Sequence, residues 1–268
     1  MSASENVVAV LTPTLGRSHL LELAVASVEA LPFAKRHVLI CPGSERVRLR
    51  EKFPQLEIVV DNNEGLYAAL NRGLAKVAEA ECVTYLNDDD LLDAPGLGAA
   101  WAQLRALPGC GAVYGRVRMI DGGGRFLGWI PVAHAPRDLG LLIRRGIVPL
   151  AQPGTLLKRE VFTRIGGFDE SYRLAGDLEF FSRALAAGER FSFFNGEVAS
   201  FRFHADQLSK REDEAMREKW RLAKQLGSLP GRYGWLPRWR FLFSNAGVYA
   251  DRIRRHGFKR MGTLYRHV

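Results

Sequence analysis

Short apolar runs alternate with amphipathic stretches along the first part of the chain. The runs predict buried strands at residues 6–11, 37–40, 56–60 and 82–86, and the stretches between them predict helices at 18–30, 66–80 and 95–107. Ser18 is placed to cap the first of these helices. Strands that alternate with long helices are typical of a parallel sheet whose connections cross over its faces. We therefore expect an α/β fold with a mostly parallel sheet and helices on both faces.

The pattern changes after Gly109. Two apolar segments, 111–120 and 125–130, flank the sequence Asp-Gly-Gly-Gly and predict a β-hairpin. A short helix at 138–144, a strand at 154–157, a helix at 175–187 and a strand at 191–203 are expected next. The remaining chain is predicted to be helical over 210–226, to break at Pro230-Gly231 and to resume near Pro237. These elements suggest two halves, 1–108 and 109–209, followed by a helical extension over 210–268.

The positive charge of the chain is concentrated in that extension. The whole sequence of 268 residues carries a net charge of +9. Residues 210–268 hold 15 Lys and Arg against 5 Asp and Glu, a net charge of +10, whereas the preceding residues hold 23 against 24. The basic residues are interleaved with aromatic ones, among them Trp220, Trp235, Trp239, Phe241, Phe243, Tyr249 and Tyr265. The asymmetry indicates a negatively charged partner for the extension alone.

Cysteine usage and hydropathy favour a cytoplasmic protein. No stretch approaches the roughly 18 consecutive apolar residues of a membrane span, and no basic segment followed by an apolar one marks the N-terminus. Cys41, Cys82 and Cys110 have no metal-ligand spacing and leave an odd cysteine over. We expect buried, reduced thiols.

The sequence Asn-Asp-Asp-Asp at 87–90 follows the fourth strand directly. Adjacent carboxylates repel one another, and a hard divalent cation among them makes the arrangement favourable. Ligands of open α/β sheets bind just outside the carboxyl ends of the strands. An acidic turn on the surface or at a helix start explains the same residues in isolation, so the neighbouring motifs decide between the two interpretations.

Six further motifs occur in a fixed order around this one. They are TPTLGR at 12–17, NNEGLYAALNRG at 62–73, QPGT at 152–155, GGFDE at 166–170, AGDLEF at 175–180 and FRFH at 201–204. Together with the acidic run, they resemble the family 2 glycosyltransferases, inverting enzymes with a GT-A fold that build bacterial surface polysaccharides. The resemblance covers about residues 7–209.

The resemblance implies a nucleotide-diphosphate-sugar donor and a divalent cation, Mn²⁺ or Mg²⁺. It implies that Asp90 binds the metal directly, that Asp89 contacts the ribose or the metal shell, and that Asp88 completes the acidic motif. His204 is a further candidate near the diphosphate or the metal. The residues expected to line the nucleotide-sugar pocket are Thr12, Pro13, Thr14, Arg17 and Asn71.

Asp177 is the expected general base, because a neutral hydroxyl needs a proton acceptor when it attacks the anomeric carbon. The family usually has Glu-Asp at this place, whereas this chain has Gly176-Asp177. Glu179 could partly replace the missing acid on the acceptor side, although a residue two positions further along a helix points elsewhere. Gln152 could face the acceptor as well, and a polar residue at a strand edge explains it equally well. Asp177 could instead only cap the helix that follows.

One departure from the family affects the nucleotide base. The second strand ends in Cys41-Pro42 instead of the usual Asp-rich turn. Asp61 is then the best remaining carboxylate for base recognition. Ser44 or Glu45 could substitute for the missing Asp if their loop bends inward. UDP is the default nucleotide, and dTDP and GDP remain open. The expected acceptor is a glycan or a polyprenyl-diphosphate-linked glycan.

Two other functions also fit parts of the sequence. A sugar-phosphate nucleotidyltransferase would use the same sheet and carboxylates, but it would normally carry a glycine-rich basic loop after the first strand. A nucleic-acid-binding module would need basic residues in the neutral body as well, so no nucleic-acid partner is expected. The extension could bind an anionic membrane at the inner face of the plasma membrane, or it could pack on the catalytic domain or on another subunit.

Overall fold

The computed structural model describes residues 7–203, 212–227 and 235–257. Nine strands form one sheet, in the order β3-β2-β1-β4-β8-β6-β9-β5, with β7 paired to β6. The strands are β1 (Val8–Pro13), β2 (Lys35–Pro42), β3 (Glu57–Asp61), β4 (Cys82–Tyr85), β5 (Leu91–Leu92), β6 (Cys110–Asp121), β7 (Phe126–Trp129), β8 (Leu156–Lys158) and β9 (Arg190–Phe203).

Ten α-helices accompany the sheet within these residues. They are α1 (Leu21–Glu29), α2 (Arg46–Lys52), α3 (Leu66–Lys76), α4 (Ala94–Ala106), α5 (Leu139–Ile143), α6 (Arg159–Ile165), α7 (Gly176–Ala186), α8 (Glu212–Gln225), α9 (Trp235–Ser244) and α10 (Ala246–His256). The sequence did not predict the short helices α2 and α6. Helix α1 begins at Leu21 and not at Ser18, because the Ser18 hydroxyl accepts the Leu20 N–H in a turn before the helix.

The first four strands are parallel, as expected for crossover connections. Strand β1 is buried on both faces: Ala9 and Leu11 join the core that contains α3 and α7, whereas Val8 and Val10 join the core that contains α1 and α4. Helices therefore cover both faces, and the α/β prediction is confirmed. Continuous apolar strands are typical of such sheets.

Antiparallel pairing enters in the second half of the sheet. Strand β8 lies between β4 and β6 and is antiparallel to both, while the long strands β6 and β9 pair in parallel. Strands β6 and β7 form the predicted hairpin, turned at residues 121–124. The sheet is thus continuous across the boundary at 108–109.

The C-terminal helices pack on the second half of the sheet. Asn245 is buried between α9 and α10, where its side-chain amide bonds to the backbone N–H and C=O of Val132. Arg240 forms a two-pronged ion pair with the buried Asp138. Leu222 of α8 and Phe241 of α9 are part of the main core. These described parts of the extension are therefore integrated into the fold.

Candidate active site

The run Asn87 to Asp90, called the acidic turn below, lies where the carboxyl ends of the parallel strands meet. The Thr14 hydroxyl, just after β1, donates a hydrogen bond of 2.5 Å to Asp88 Oδ2, just after β4. The Gly16 N–H in turn donates to the Thr14 hydroxyl at 2.9 Å. The bond between Thr14 and Asp88 joins the two loops that the sequence assigned to the nucleotide-sugar pocket. Asp88 and Asp89 are half-buried at this edge.

Asp90 has a different position from its two neighbours. Its side chain is fully buried, and Oδ1 accepts the Arg202 backbone N–H at 2.8 Å. Oδ2 lies 3.4 Å from the Asn87 side-chain amide. Burial first, and then the charge of Asp89, raises the pKa of Asp90 well above its usual value. The geometry does not fit the expected role of Asp90 as the direct metal ligand, because its oxygens face the protein interior.

Arg202 holds the acidic turn against the β6–β7 hairpin. Its side chain is almost fully buried, and Nε donates to the carbonyl of Asp89 at 2.8 Å. The same guanidinium donates to the carbonyls of Asp121 and Gly122 at 3.2 Å and 3.0 Å. Arg202 belongs to the motif at 201–204, but no role was predicted for it from the sequence. A buried arginine that satisfies three carbonyls fixes the position of the turn.

Asp177 lies in the first turn of α7, beside a buried tyrosine. The Tyr67 hydroxyl donates to Asp177 Oδ1 at 3.4 Å, and the same oxygen accepts the Leu178 N–H at 2.8 Å. Burial raises the pKa of Asp177, whereas the Leu178 N–H, the charge of Lys219 and the Tyr67 hydroxyl lower it. A carboxylate with a raised pKa is a stronger proton acceptor than an exposed one. Ala175 is the N-cap of α7, so Asp177 satisfies one N–H inside the first turn and can also accept a proton.

Tyr67 also accounts for the glycine that precedes Asp177. A Cβ atom on Gly176 would lie 2.6 Å from the Tyr67 ring, which is closer than real Cβ atoms approach. The ring is buried and packs against Phe168 at a centroid distance of 5.6 Å. There is no room for the glutamate that the family usually has at this place. In this chain the Tyr67 hydroxyl lies beside Asp177 instead.

Helix α8 reaches the start of α7 from the C-terminal part of the chain. Glu218 Oε1 accepts the backbone N–H of Arg173 at 2.6 Å, while Oε2 accepts those of Leu174 and Ala175 at 2.9 Å and 2.8 Å. These are the residues just before α7. A carboxylate at a helix N-terminus satisfies free N–H groups and complements the helix dipole. This contact was not predicted, because no local pattern in the sequence links the extension to the residues before α7.

Lys219, the next residue of α8, interacts electrostatically with Asp177. Burial lowers the pKa of Lys219, and the negative charge of Asp177 raises it. Two further contacts hold α8 in place: the Tyr172 hydroxyl donates to Gln225 at 2.8 Å, and the Arg221 guanidinium lies 4.5 Å from the Tyr172 ring centroid. The extension therefore contributes directly to the surroundings of Asp177.

Tyr85 is within electrostatic reach of both Asp177 and the acidic turn. It is the last residue of β4, and burial, then Asp177, then Tyr67, then Asp90 raise its pKa well above the usual value. Gln152 is buried and donates to the Tyr85 carbonyl at 2.6 Å. Gln152 thus supports the end of β4. The sequence had suggested instead that it faces an acceptor.

Two other predicted residues stabilise loops instead of lining a pocket. The side-chain amide of Asn71 donates to the Phe168 carbonyl at 2.9 Å and accepts its N–H at 2.8 Å. Glu179 pairs with Arg183 through two bonds of 2.8 Å and 2.9 Å, and Arg183 also donates to the carbonyls of residues 165 and 167. Glu179 therefore does not replace the missing acid beside Asp177.

The remaining predicted residues are spread along the edge of the sheet. Thr12 is buried and its hydroxyl lies 2.9 Å from His37 Nε2, so only its backbone can serve the pocket. Pro13 is half-buried and Arg17 is exposed. Asp61, at the end of β3, accepts the Asn63 N–H at 2.5 Å. His204 is outside the described residues.

The loop after β2 does bend toward the loop after β1. A Cβ atom on Gly16, whose φ is +74°, would lie 2.8 Å from Glu45 Cγ. Arg48 holds the Glu45 carboxylate at 2.7 Å and also donates to the Gly16 carbonyl. Glu45 is therefore near the expected nucleotide pocket, but it is paired with an arginine. Asp61 stays the simpler candidate for base recognition.

Asp88 and Asp89 fit a hard divalent cation better than Asp90 does. Among residues 7–203, 212–227 and 235–257, no three His, Cys, Asp or Glu side chains form a ready-made metal cluster. Mg²⁺ sites at substrate phosphates need only one or two carboxylates, since phosphate oxygens and water complete the shell. The two half-buried carboxylates can supply that number.

Comparison with known proteins supports the fold. No protein-family model matches the chain, and no curated protein matches it in sequence. The mannosyltransferase PcManGT from Pyrobaculum calidifontis, solved with GDP-Man and Mn²⁺, matches with a TM-score of 0.59 and 18% identity, over 97% of this chain and 79% of its own. The S. aureus protein TarS, as residues 1–349 with UDP-GlcNAc, matches with a TM-score of 0.60 and 17% identity, over 95% of this chain and 74% of its own.

A longer structure of S. aureus TarS matches with a TM-score of 0.59 and 16% identity. The chain spans only 43% of that protein, while 93% of the chain is covered. The chain therefore has a GT-A-like glycosyltransferase fold, as its motifs predicted.

Proposed function

We propose that the protein is a glycosyltransferase that moves a sugar from a nucleotide-diphosphate sugar to a hydroxyl group of an acceptor. One observation carries the proposal: Asp90 of the acidic turn and Asp177 at the start of α7 both act electrostatically on the buried Tyr85 at the end of β4. Asp88 and Asp89 are half-buried in the acidic turn, and Asp177 has a raised pKa at the start of α7. Group transfer from a diphosphate needs both, one to manage the leaving group and one to accept a proton.

The donor end of the site is the loop pair joined by the Thr14–Asp88 bond. We assign the metal contact to Asp89 and Asp88, in place of Asp90, because these two carboxylates are partly accessible. A bound Mn²⁺ or Mg²⁺ supplies Lewis-acid charge at the departing diphosphate. Arg202 fixes the carbonyl of Asp89 and thereby holds the turn in the position that binding requires.

Asp177 serves as the general base at the other end. The acceptor hydroxyl oxygen attacks the anomeric carbon and forms the new C–O bond, while the bond from that carbon to the diphosphate oxygen breaks. The nucleoside diphosphate leaves with the electron pair, and the hydroxyl proton goes to Asp177. A reaction with one base and no covalent intermediate is a single displacement, so under this proposal the configuration at the anomeric carbon inverts.

The choice of donor rests on the neighbours and on the resemblance. The matched structures contain UDP-GlcNAc, UDP and GDP-Man. UDP is our first choice for this chain, followed by GDP and dTDP, with Asp61 beside the base. The proposed acceptor is a glycan or a polyprenyl-diphosphate-linked glycan of bacterial surface polysaccharide synthesis, used on the cytoplasmic side of the membrane.

A donor panel tests the proposal. Thermal stabilisation is measured with UDP-, GDP- and dTDP-sugars, each with Mn²⁺ and with chelator. We expect one nucleotide class to stabilise the protein in Mn²⁺ and to lose most of this effect in chelator. Asp89→Asn should abolish the difference, whereas Asp251→Asn, a change on α10, should keep it. Stabilisation by nucleoside triphosphates alone would favour the nucleotidyltransferase alternative.

A further inference from the structure

Helix α9 exposes a row of large apolar side chains. Trp235, Leu236, Trp239 and Phe243 keep 57%, 48%, 50% and 71% of their surface exposed. The three aromatic residues are four positions apart, so they lie along one side of the helix. The rings of Trp239 and Phe243 are stacked at a centroid distance of 5.5 Å. We call these four residues the aromatic row. Contiguous apolar surface of this kind marks an interaction site.

The fold fixes the row on the outside of the molecule. The opposite side of α9 carries the buried Pro237 and Phe241, and Arg240 is tied to Asp138. Asn245, at the junction with α10, bonds to both backbone groups of Val132. Rotating α9 to bury the aromatic row would break these contacts and expose Phe241. The row therefore faces outward as a consequence of the packing.

The charge around the row selects the kind of partner. Arg238 is exposed on the same helix, and on α10 the Arg254 side chain is 78% exposed while it pairs with Asp251. Residues 210–268 carry a net charge of +10. Pairing of two such surfaces in a dimer would bring like charges together. A surface with negative headgroups above an apolar layer complements both the arginines and the rings.

We propose that the aromatic row of α9 docks on the surface of an anionic lipid bilayer, with the indole and phenyl rings at the boundary between headgroups and acyl chains. None of the helices in the described parts of the chain has the length and hydropathy to cross a membrane. The contact is thus peripheral. The helix lies in the plane of the interface, and the basic residues beside it hold the phosphates of the headgroups.

Vesicle flotation tests the proposal on the full chain. The probes are vesicles of phosphatidylcholine mixed with phosphatidylglycerol, and vesicles of phosphatidylcholine alone. The test variant is Trp239→Ser with Phe243→Ser. The matched control is Leu23→Ser with Val47→Ser, which removes exposed apolar side chains from α1 and α2. Circular dichroism and thermal unfolding establish that each protein is folded.

We expect binding to the anionic vesicles at low salt, loss of at least about tenfold in affinity for the α9 variant, and no loss for the control. High salt should weaken binding of the wild type, since charge attraction is screened. Absence of binding to anionic vesicles would overturn the proposal. Equal binding by the α9 variant would overturn it too. The proposal would also be overturned if sedimentation equilibrium showed that the aromatic row joins two copies of the chain while vesicle binding by the variant stayed unchanged.

A complete truncation of the extension is a poorer test. Removing the chain from about residue 232 onward would also remove Phe241, Asn245 and Arg252, all of which are buried. Such a protein would lose part of its packing together with the aromatic row. The two-residue substitution removes the apolar side chains and leaves those contacts in place.

Discussion

Glu218 Oε2 accepts the backbone N–H of Ala175 at 2.8 Å, and Ala175 is the residue before the helix that carries Asp177. One residue of the basic extension therefore anchors the helix start that presents the proposed base. Two more N–H groups, those of Arg173 and Leu174, bond to the same carboxylate. The extension therefore helps to build the surroundings of the proposed base.

Replacing Glu218 should weaken both the fold and the reaction. Glu218→Ala leaves three N–H groups without their acceptor, which should cost about 1–3 kcal/mol of unfolding free energy and lower the transfer rate. Glu218→Gln, which keeps an oxygen acceptor, should recover part of both. Denaturant unfolding and transfer assays measure the effects. Asp213→Ala, an exposed change on the same helix, is the control, and an equal loss in that variant would contradict the account.

Gly176→Ala should destabilise the protein, although alanine is the better helix former. Helix propensity alone predicts a gain of about 1 kcal/mol. The contact of 2.6 Å between the new Cβ and the Tyr67 ring predicts a loss of about 1–3 kcal/mol instead. Gly247→Ala, in the first turn of α10 with open space around it, should be neutral or stabilising. Chemical unfolding of both variants decides, and a stabilised Gly176→Ala would show that Tyr67 moves aside easily.

We expect two aspartates of the acidic turn to have different roles, metal binding for Asp89 and structural support for Asp90. Asp90→Ala removes the acceptor of the buried Arg202 N–H and should lower stability by about 1–3 kcal/mol. Asp89→Asn should leave stability nearly unchanged and weaken the response of activity to Mn²⁺. Unfolding curves and Mn²⁺ titrations of transfer separate the two effects. If Asp90→Ala were fully stable and lost only the metal response, the original assignment of Asp90 would be restored.

The pH dependence should follow the raised pKa of Asp177. The base is ionised only above that pKa, so kcat/KM should fall on the acid side at a pH above the ordinary range of aspartate. Lys219→Met removes a charge that lowers the pKa of Asp177 and should move this limb to higher pH. Lys219→Arg should restore it. If the acid side of the kcat/KM profile were the same in both variants as in the wild type, a group other than Asp177 would be titrating.

The raised pKa of Asp177 should also affect the stability of the folded protein. Because the folded pKa of Asp177 lies above the unfolded value, the folded state binds this proton more tightly than the unfolded chain does. Asp177 therefore costs stability as the pH rises through its raised pKa, and the cost disappears below the unfolded value. Asp177→Asn should be more stable than the wild type at neutral pH, with a difference that vanishes in acid. Urea unfolding at several pH values measures this.

The product should carry the opposite anomeric configuration to the donor sugar. A single displacement allows no other result. The anomeric coupling constant of the purified product reports the configuration directly. A product that retains the configuration of the donor would require a second nucleophile and would contradict the proposed mechanism.

Much of the fold follows from the sequence, because buried parallel strands and amphipathic helices leave strong periodic signals. The strands β1–β4, the hairpin turned at residues 121–124 and the helix carrying Asp177 were all predicted. The short helices α2 and α6 gave no such signal, since seven residues complete too few turns to show a period. Strand β5 has only two residues and gave none either.

The site was harder to predict than the fold. Adjacent aspartates are chemically identical in the sequence, and only their depth in the turn separates the buried Asp90 from Asp89. The contacts of Glu218 and Lys219 join positions more than forty residues apart in the chain, which no local pattern reveals. Gly176, by contrast, was noticed as a departure from the family, and the structure supplies its reason in the ring of Tyr67.

The central claim is that Asp177 takes the proton of the acceptor hydroxyl during sugar transfer. The most direct measurement compares donor affinity and transfer rate in the wild type and in Asp177→Asn, with the donor identified by the panel. The amide keeps the shape of the side chain but cannot accept the proton. The account predicts nearly unchanged donor affinity and a transfer rate lower by about a hundredfold or more. A folded Asp177→Asn that transfers sugar at the wild-type rate would contradict it.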